Sequence, residues 1–548
     1  MNGAGTLGSA LLVATLATPL ALLLACLSRR LRDNMPALLV LAPLPGLATA
    51  LLAIGGTPLA FDQPQLKISL ALDVPGAILL GVAALLWSVA GVYAFASLRG
   101  QANNARFAVC WLLTLTGSLG VFIAADLLGF YLVFALVSLP AYGLIVHDDD
   151  DDAAQRAGGV YMAFTVLGEA FLLLGFVLLA AGEPGDSLQI RDVVAALPQS
   201  PWRDAALAFT VAGFALKIGT VPAHGWMPLT YVAAPLPAAS VLSGAAVKAG
   251  VIGLIRFLPF DTAMPGAGEA LVVLGLCSAF YGVAIGITQA NPKTVLAYSS
   301  VSQMGVIVAV LGMGLAAGDQ SVALDTAFYA ATHVLAKGAL FLAIGVVAVT
   351  GARRAWPALL PAAVLALGLG GLPLTGGALA KLAVKALLGD GVVGLLANLS
   401  AVGTTLLMLH FLQRLTQIAP HDQQAAAPAG LALPWQAMAL ASIVVPWLLY
   451  PLAGGDVADA LTPNALFDAL WPILIGAALA FALRRWGSSL PSVPAGDIVG
   501  AVEKAFRASY VVGAALERAD GQLRQWSTAG LSLLAIAVVL GAAALFGH

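Results

Sequence analysis

Residues 216–257 read LKIGTVPAHGWMPLTYVAAPLPAASVLSGAAVKAGVIGLIRF. Two lysines stand in this stretch, Lys217 and Lys248, each with apolar residues on both sides. A charged side chain at the centre of a bilayer costs roughly 2.5–3.5 kcal/mol on insertion scales, so one that persists marks a pathway or a paired charge. Pro222, five residues after Lys217, removes a backbone donor and interrupts a helix. The stretch therefore reads as two membrane helices, the first broken, each carrying one lysine.

The rest of the chain is written in the same way. Of 548 residues, 60% are hydrophobic and 9% charged, against about 25% charged in a soluble domain. Apolar runs of roughly 20 residues, each enough to cross a bilayer as a helix, recur from end to end. Candidate spans lie near 6–27, 36–56, 73–97, 106–124, 126–147, 157–181, 204–223 and 237–258. They continue near 266–289, 294–315, 321–349, 357–388, 391–417, 431–452, 463–484 and 527–546, about sixteen in all. The chain reads as an all-α polytopic membrane protein, and its richness in Ala and Gly suits close helix packing. A net charge of −2 offers no basic surface for nucleic acid. Cys26, Cys110 and Cys277 lie inside apolar runs and read as small hydrophobes rather than metal or redox ligands.

Basic residues fix an expected orientation. Arg29, Arg30, Arg32, Arg99, Arg106, Arg156, Lys293, Arg353, Arg354, Arg414, Arg484 and Arg485 fall in alternate loops on one side, while the opposite loops hold mainly Lys67, Arg191 and Arg203. The positive-inside rule makes the first side cytoplasmic and puts the N-terminus outside, here across a bacterial inner membrane. The arginines at 29, 30 and 32 follow the first apolar run, so that run reads as a retained span and not a cleaved signal. The acidic run at 148–152 reads as a solvated loop ahead of a cation-collecting patch. Between the last two spans, residues 497–526 mix charges with Val, Phe, Tyr and Leu, the pattern of an amphipathic helix on a membrane surface or against a partner subunit.

Further charges sit where charges are expensive. Glu169 lies in YMAFTVLGEAFLLLGF; His333 and Lys337 share THVLAKGALF; Lys381 and Lys385 share GGALAKLAVKALL. The last two pairs are spaced i, i+4 and so lie on one helix face. An ammonium in a low-dielectric interior is penalised, and a lysine so placed can exchange its proton within the physiological range. Alternating Lys, Glu and His is what a proton relay through a membrane requires. Lys293 and Lys385, near span ends, have snorkelling to the interface as the alternative. Gly371, Pro373, Gly376 and Gly377 precede Lys381 as Pro222 follows Lys217. One discontinuous helix in each half points to a transport site and hints at an inverted repeat.

The segments LKIGTVPAHGWMPLTYVAAPLPAASVLSGAAVKAGVIGLIRF, NPKTVLAYSSVSQMG, ATHVLAKGALFL and GLPLTGGALAKL resemble the antiporter-like subunits of respiratory complex I, of Mrp sodium/proton antiporters and of membrane-bound hydrogenases. The last segment resembles the Mrp-type and hydrogenase-type branches. With helix order, the resemblance covers about residues 70–420. It implies a fourteen-helix core with two inverted five-helix repeats, each with a broken helix. The expected organisation is N-terminal helices at 1–105, a first repeat at 106–260, a second at 261–420, additional helices at 421–490, and the amphipathic helix with a last span at 491–548. The resemblance also implies that Lys217 is the broken-helix lysine of the first half, Lys248 the central lysine and Lys381 the broken-helix lysine of the second half. His333 and Lys337 would link the halves. The family usually places a glutamate in a segment resembling FYLVFALVSLPAYGLI, where this chain has Ala135; Glu169, one span on, is the expected substitute, with a role facing a partner subunit as the alternative.

Accessory candidates are His224, which either caps the broken helix or relays protons at its mouth, Lys385, His410 on an exit path, and Asp126, read as an interface residue ahead of chemistry. Gly3, Gly5 and Gly8 fit G-x-G-x-x-G with no preceding strand, so no nucleotide site is expected. Asn398-Leu399-Ser400 fits a glycosylation pattern but lies inside a span. No cofactor, metal or catalytic centre is expected, and any electron chemistry sits in partners. The expected function is a proton-translocating subunit of a larger energy-converting complex with other membrane subunits. The alternatives are an Mrp-type Na+/H+ antiporter subunit, a proton-driven subunit of an inorganic-carbon uptake complex with a peripheral zinc enzyme, and a non-conducting scaffold.

Overall fold

The structure is a computed structural model; it describes residues 2–28, 35–55, 59–63, 66–99, 103–148, 150–420, 425–486 and 493–500. The chain divides into two compact units, Met1–Ala495 and Gly496–His548, and the helix bundle is the first of them. The surface helix expected at 497–526, past residue 500, and the span expected at 527–546 lie outside the described residues, as do Arg29, Arg30 and Arg32.

The chain opens with α1 (Asn2–Ala25), α2 (Met35–Leu38) and α3 (Leu44–Leu52). The last two stand where the sequence predicts a single span; Pro43 and Pro45 lack the amide that would continue α2 into α3. A hairpin comes next, β1 (Leu59–Gln63) and β2 (Leu66–Leu70), antiparallel with Leu59 opposite Leu70. It is an addition to the expected all-helical reading. Beyond it lie α4 (Val74–Ser97), α5 (Asn104–Gly120), α6 (Leu127–Ser138), α7 (Ala141–Ile145), α8 (Asp152–Ala181) and α9 (Ile190–Ala196). Asp73, Asp126 and Asp151 cap α4, α6 and α8 by accepting backbone amides, the role short acidic side chains have at helix starts.

The middle of the chain forms α10 (Arg203–Ile218), α11 (Trp226–Ala233), α12 (Leu236–Val241), a π turn at Leu242–Ala246 and α13 (Lys248–Phe257). The remainder forms α14 (Pro265–Gly286), α15 (Pro292–Ala317), α16 (Val322–Ala348), α17 (Trp356–Gly370), α18 (Gly376–Leu388), α19 (Val392–Gln417), α20 (Ala429–Leu449), α21 (Val457–Ala460) and α22 (Pro463–Trp486).

Among the described residues, 11 helices are long and apolar enough to cross a membrane, α6 running with α7 and α12 with α13 as one each. The expected spans at 36–56, 106–124, 204–223 and 357–388 are not among them. The first and last are each two helices, α5 has 17 residues, and α10 stops at Ile218.

The bundle has a clear centre and edge. The apolar window of Leu236–Phe257 is 100% buried and that of α16 94%, whereas that of α22 is 17%. The central helices therefore carry Lys248, His333 and Lys337 away from lipid, and α22 turns Phe467, Leu474 and Phe481 outward. The most extensive helix contact joins α14 to α15. A Cβ on Gly275 would fall 2.5 Å from the Gly305 carbonyl oxygen and the Ala309 amide. Only bare backbone permits so close an approach, the usual device of membrane helix pairs.

Candidate functional site

The charged residues fall into three places. In the first half, α10 ends one residue before Gly219, whose φ of 70° closes the helix, and Lys217 sits in its last turn. Lys217 Nζ donates to Ser138 Oγ at 2.8 Å, and Ser138 Oγ donates to the Phe134 carbonyl at 2.8 Å. The Tyr161 hydroxyl fixes the Ser138 backbone by donating to its carbonyl at 2.7 Å. The ammonium also lies 5.5 Å from the Phe134 ring centroid, a cation–π distance. Ser138 stands one turn beyond Ala135 on α6, so this helix, with alanine at 135, still supplies a hydrogen-bond acceptor.

Glu169, on α8, lines the same small cavity as Ser138, Tyr161, Thr165, Lys217 and Trp226. Its volume is about 10 Å³, at the lower limit for one water molecule. Glu169 is buried, and the Lys217 ammonium and the Ser138 hydroxyl both act on its carboxylate. The lysine acts through its charge, its own hydrogen bond going to Ser138, which sets this carboxyl apart from one held in a permanent ion pair.

At the centre, Lys248 Nζ lies 2.9 Å from His333 Nδ1, both groups fully buried. The contact needs a single proton between the two nitrogens: an ammonium donates to a bare Nδ1, or an amine accepts from a protonated one. The π turn at Leu242–Ala246 ends two residues before Lys248, and such turns are frequent at functional positions. One turn past His333, Lys337 Nζ donates to the Leu296 carbonyl of α15 at 2.8 Å.

In the second half, α17 ends at Gly370, and Gly371 takes φ 101° before α18 begins at Gly376. Lys381 Nζ donates to the Gly370 carbonyl, one of the acceptors that the break leaves free. Lys217 thus precedes its break and Lys381 follows its own. A cavity of about 350 Å³ opens beside Lys381. Gln303, Tyr329 and Thr404 line it and form a chain: the Tyr329 hydroxyl donates to Gln303 Oε1 at 2.8 Å, and Gln303 Nε2 to Thr404 Oγ1 at 3.1 Å. Lys385 pairs with Asp468 of α22 at 2.6 Å.

The accessory candidates separate. Asp126 caps α6 through Gly129 and takes the Ser69 amide at 2.6 Å, which ties the hairpin to the bundle. His224 is buried in the break after α10, its ring 5.0 Å from that of Tyr281. His410 Nε2 lies 2.7 Å from the Gln289 carbonyl. Lys293 donates to the carbonyls of Val232 and Ala234, at the α11–α12 junction. Ser138, Gln303, Tyr329, Thr404 and Asp468 were not among the sequence candidates. Gln303 is the one that a sequence signal could have found, as a polar side chain in mid-span within NPKTVLAYSSVSQMG.

Residues 124–407 match the family described as NADH:quinone oxidoreductase/Mrp antiporter, TM. A similar curated protein is NADH-quinone oxidoreductase subunit N of Desulforudis audaxviator, 33% identical over 304 residues, which are 53% of this chain and 58% of that protein. The chain thus spans little more than half the length of that relative. Among solved structures, the Mrp complex from Dietzia sp. matches with a TM-score of 0.66 at 21% identity, over 85% of this chain and 100% of that one. The membrane-bound sulfane sulfur reductase, an archaeal respiratory membrane complex, matches with 0.68 at 18% identity, over 87% and 99%. At these identities the likeness is one of fold. The bundle, its broken helices and the matched region together identify this chain as a member of the NADH:quinone oxidoreductase/Mrp antiporter transmembrane family.

Proposed function

We propose that the chain is a proton-translocating membrane subunit of a larger energy-converting complex. The observation that carries this reading is the Lys248–His333 contact at 2.9 Å, a one-proton bond at the most deeply buried part of the bundle, with a broken-helix lysine on either side in sequence. Lys217 serves the first half, Lys248, His333 and Lys337 the centre, and Lys381 the second half. Glu169 takes the part of the carboxylate absent at Ala135: it lines the cavity of the Lys217 ammonium without being bonded to it, so it can attract the charge while leaving the proton free to move. The two halves, 106–260 and 261–420, are the inverted repeats. The complex sits in a bacterial inner membrane with the N-terminus of this chain outside, and other membrane subunits, with any peripheral subunit, supply the driving reaction.

The test is proton uptake by proteoliposomes holding the purified complex. Lys217→Ala and Lys248→Ala each abolish driven proton movement while the complex still assembles. Normal translocation in both variants overturns the relay.

A further inference from the structure

The lining of the 350 Å³ cavity of the second half is of two kinds. Gln303 and Tyr329 are buried and Lys381 is half-buried, whereas Lys385, Asp390 and Asp468 are exposed. Asp468 lies on α22, well past residue 407, where the family match ends. α22 is peripheral, packing on α19 and turning large apolar side chains outward. Asp468 stands in the second turn of α22 and lines the cavity.

The pair that Asp468 makes has the geometry of a closure. Lys385 Nζ reaches its Oδ2 at 2.6 Å and so joins α18 to α22 across the lining of the cavity. The two side chains are 53% and 48% exposed, so the link stands where the cavity meets its surroundings. Lys385 lies one turn from Lys381 on the same face of α18. An ammonium released from Asp468 can swing toward or away from the inner lysine. Exposed pairs of this kind contribute little to stability, so the link opens readily.

We propose that the Lys385–Asp468 ion pair is the gate of the second-half cavity, controlling passage between Lys381 and the aqueous phase, and that α22 thereby contributes to transport. The proposal rests on the proton-translocation reading above. No bond other than the ion pair is made or broken at the gate; the proton passes through cavity water.

The test uses Ser400→Cys, a buried position on the cavity wall, in the full complex with Cys26, Cys110 and Cys277 replaced by serine. A membrane-impermeant maleimide is applied to vesicles of both orientations. Labelling from one face is expected to be about tenfold faster with Asp468→Asn or Lys385→Gln, and slow again in the charge-reversed pair Lys385→Asp/Asp468→Lys. Unchanged labelling in both single variants overturns the gate, as does failure of the reversed pair to restore the slow rate. Proton uptake by Lys381→Ala separates the two ideas. If it is abolished while the gate variants change nothing, the gate alone falls; if it is normal, the relay through Lys381 falls with it.

Discussion

Replacing Gly371 by alanine should uncouple Lys381 without disturbing any charge. Gly371 has φ 101°, on the side of the map where an L residue costs roughly 1–2 kcal/mol. Its Cβ would also lie 3.0 Å from both Cδ and Nζ of Lys381, so the lysine tip must shift and its hydrogen bond to the Gly370 carbonyl is strained or lost. Losing a hydrogen bond to a charged group costs about 1.5–3 kcal/mol. Gly454 provides the control: it too is left-handed, with φ 79° and ψ 4°, and no atom lies within 4 Å of the position of its Cβ, so Gly454→Ala carries the backbone cost alone. The variants should differ by about 1.5–3 kcal/mol, roughly a ten- to hundredfold effect at about 1.4 kcal/mol per decade. Driven proton uptake in proteoliposomes, with thermal unfolding of the same preparations, measures it. Gly371→Ala should translocate at least tenfold more slowly than Gly454→Ala while both assemble. Equal rates would refute the argument that the left-handed glycine seats the lysine.

Three further outcomes are expected. Ser138→Ala removes the acceptor that holds Lys217; an unsatisfied buried donor costs about 1–3 kcal/mol, so proton uptake should fall roughly tenfold and Ser138→Thr should largely restore it. Glu169→Gln keeps the shape and removes the charge, and should slow uptake with assembly intact; unaltered uptake would assign Glu169 to a partner contact instead. Arg256 donates to both Asp73 oxygens and to the carbonyls of Val121, Phe122 and Ala124. Burial works against the Asp73 carboxylate, but the Arg256 charge and hydrogen bonds, with the Gly76 amide, hold it below its ordinary range. A carboxyl held low stabilises the fold above about pH 4 and loses that contribution as pH falls through its lowered value. Arg256→Gln should therefore lower the melting temperature at pH 7 more than at pH 3; an equal loss at both would leave the ion pair without a part in stability.

The charged residues could be read from the sequence because each interrupts an apolar run; nothing in a lipid-facing helix imitates Lys248 or Lys337. The breaks were equally visible, since Pro222 and Gly371 carry their backbone consequences with them. The hydrogen-bond partners were hidden for a different reason. Serine, threonine and tyrosine are common in membrane helices and carry no charge to betray them. Lys217 finds Ser138 79 residues away and Gln303 finds Thr404 across 101, pairings set by packing and not by local pattern. Asp468 looked like any residue near the start of a span, because nothing in the sequence of α22 says which helix it faces. The hairpin was missed because five-residue strands among long apolar runs give too short an alternation to register.

The tie between that hairpin and α6 bears on what can move. Asp126 takes the Ser69 amide, the Ala125 amide donates to the Ser69 carbonyl, and the amides of Leu127 and Ile190 bond to the carbonyls of Leu188 and Ala125. The N-terminal end of α6 is thus buckled to two neighbouring segments. Its 12 residues form a rod of about 18 Å at 1.5 Å per residue, with Ser138 at the far tip. A strut clamped at its base holds its tip in place, so the Lys217–Ser138 bond opens by displacement of the lysine. On the proposed relay, the moving part of the first half would then be the broken helix and its side chain, with the serine as the fixed contact.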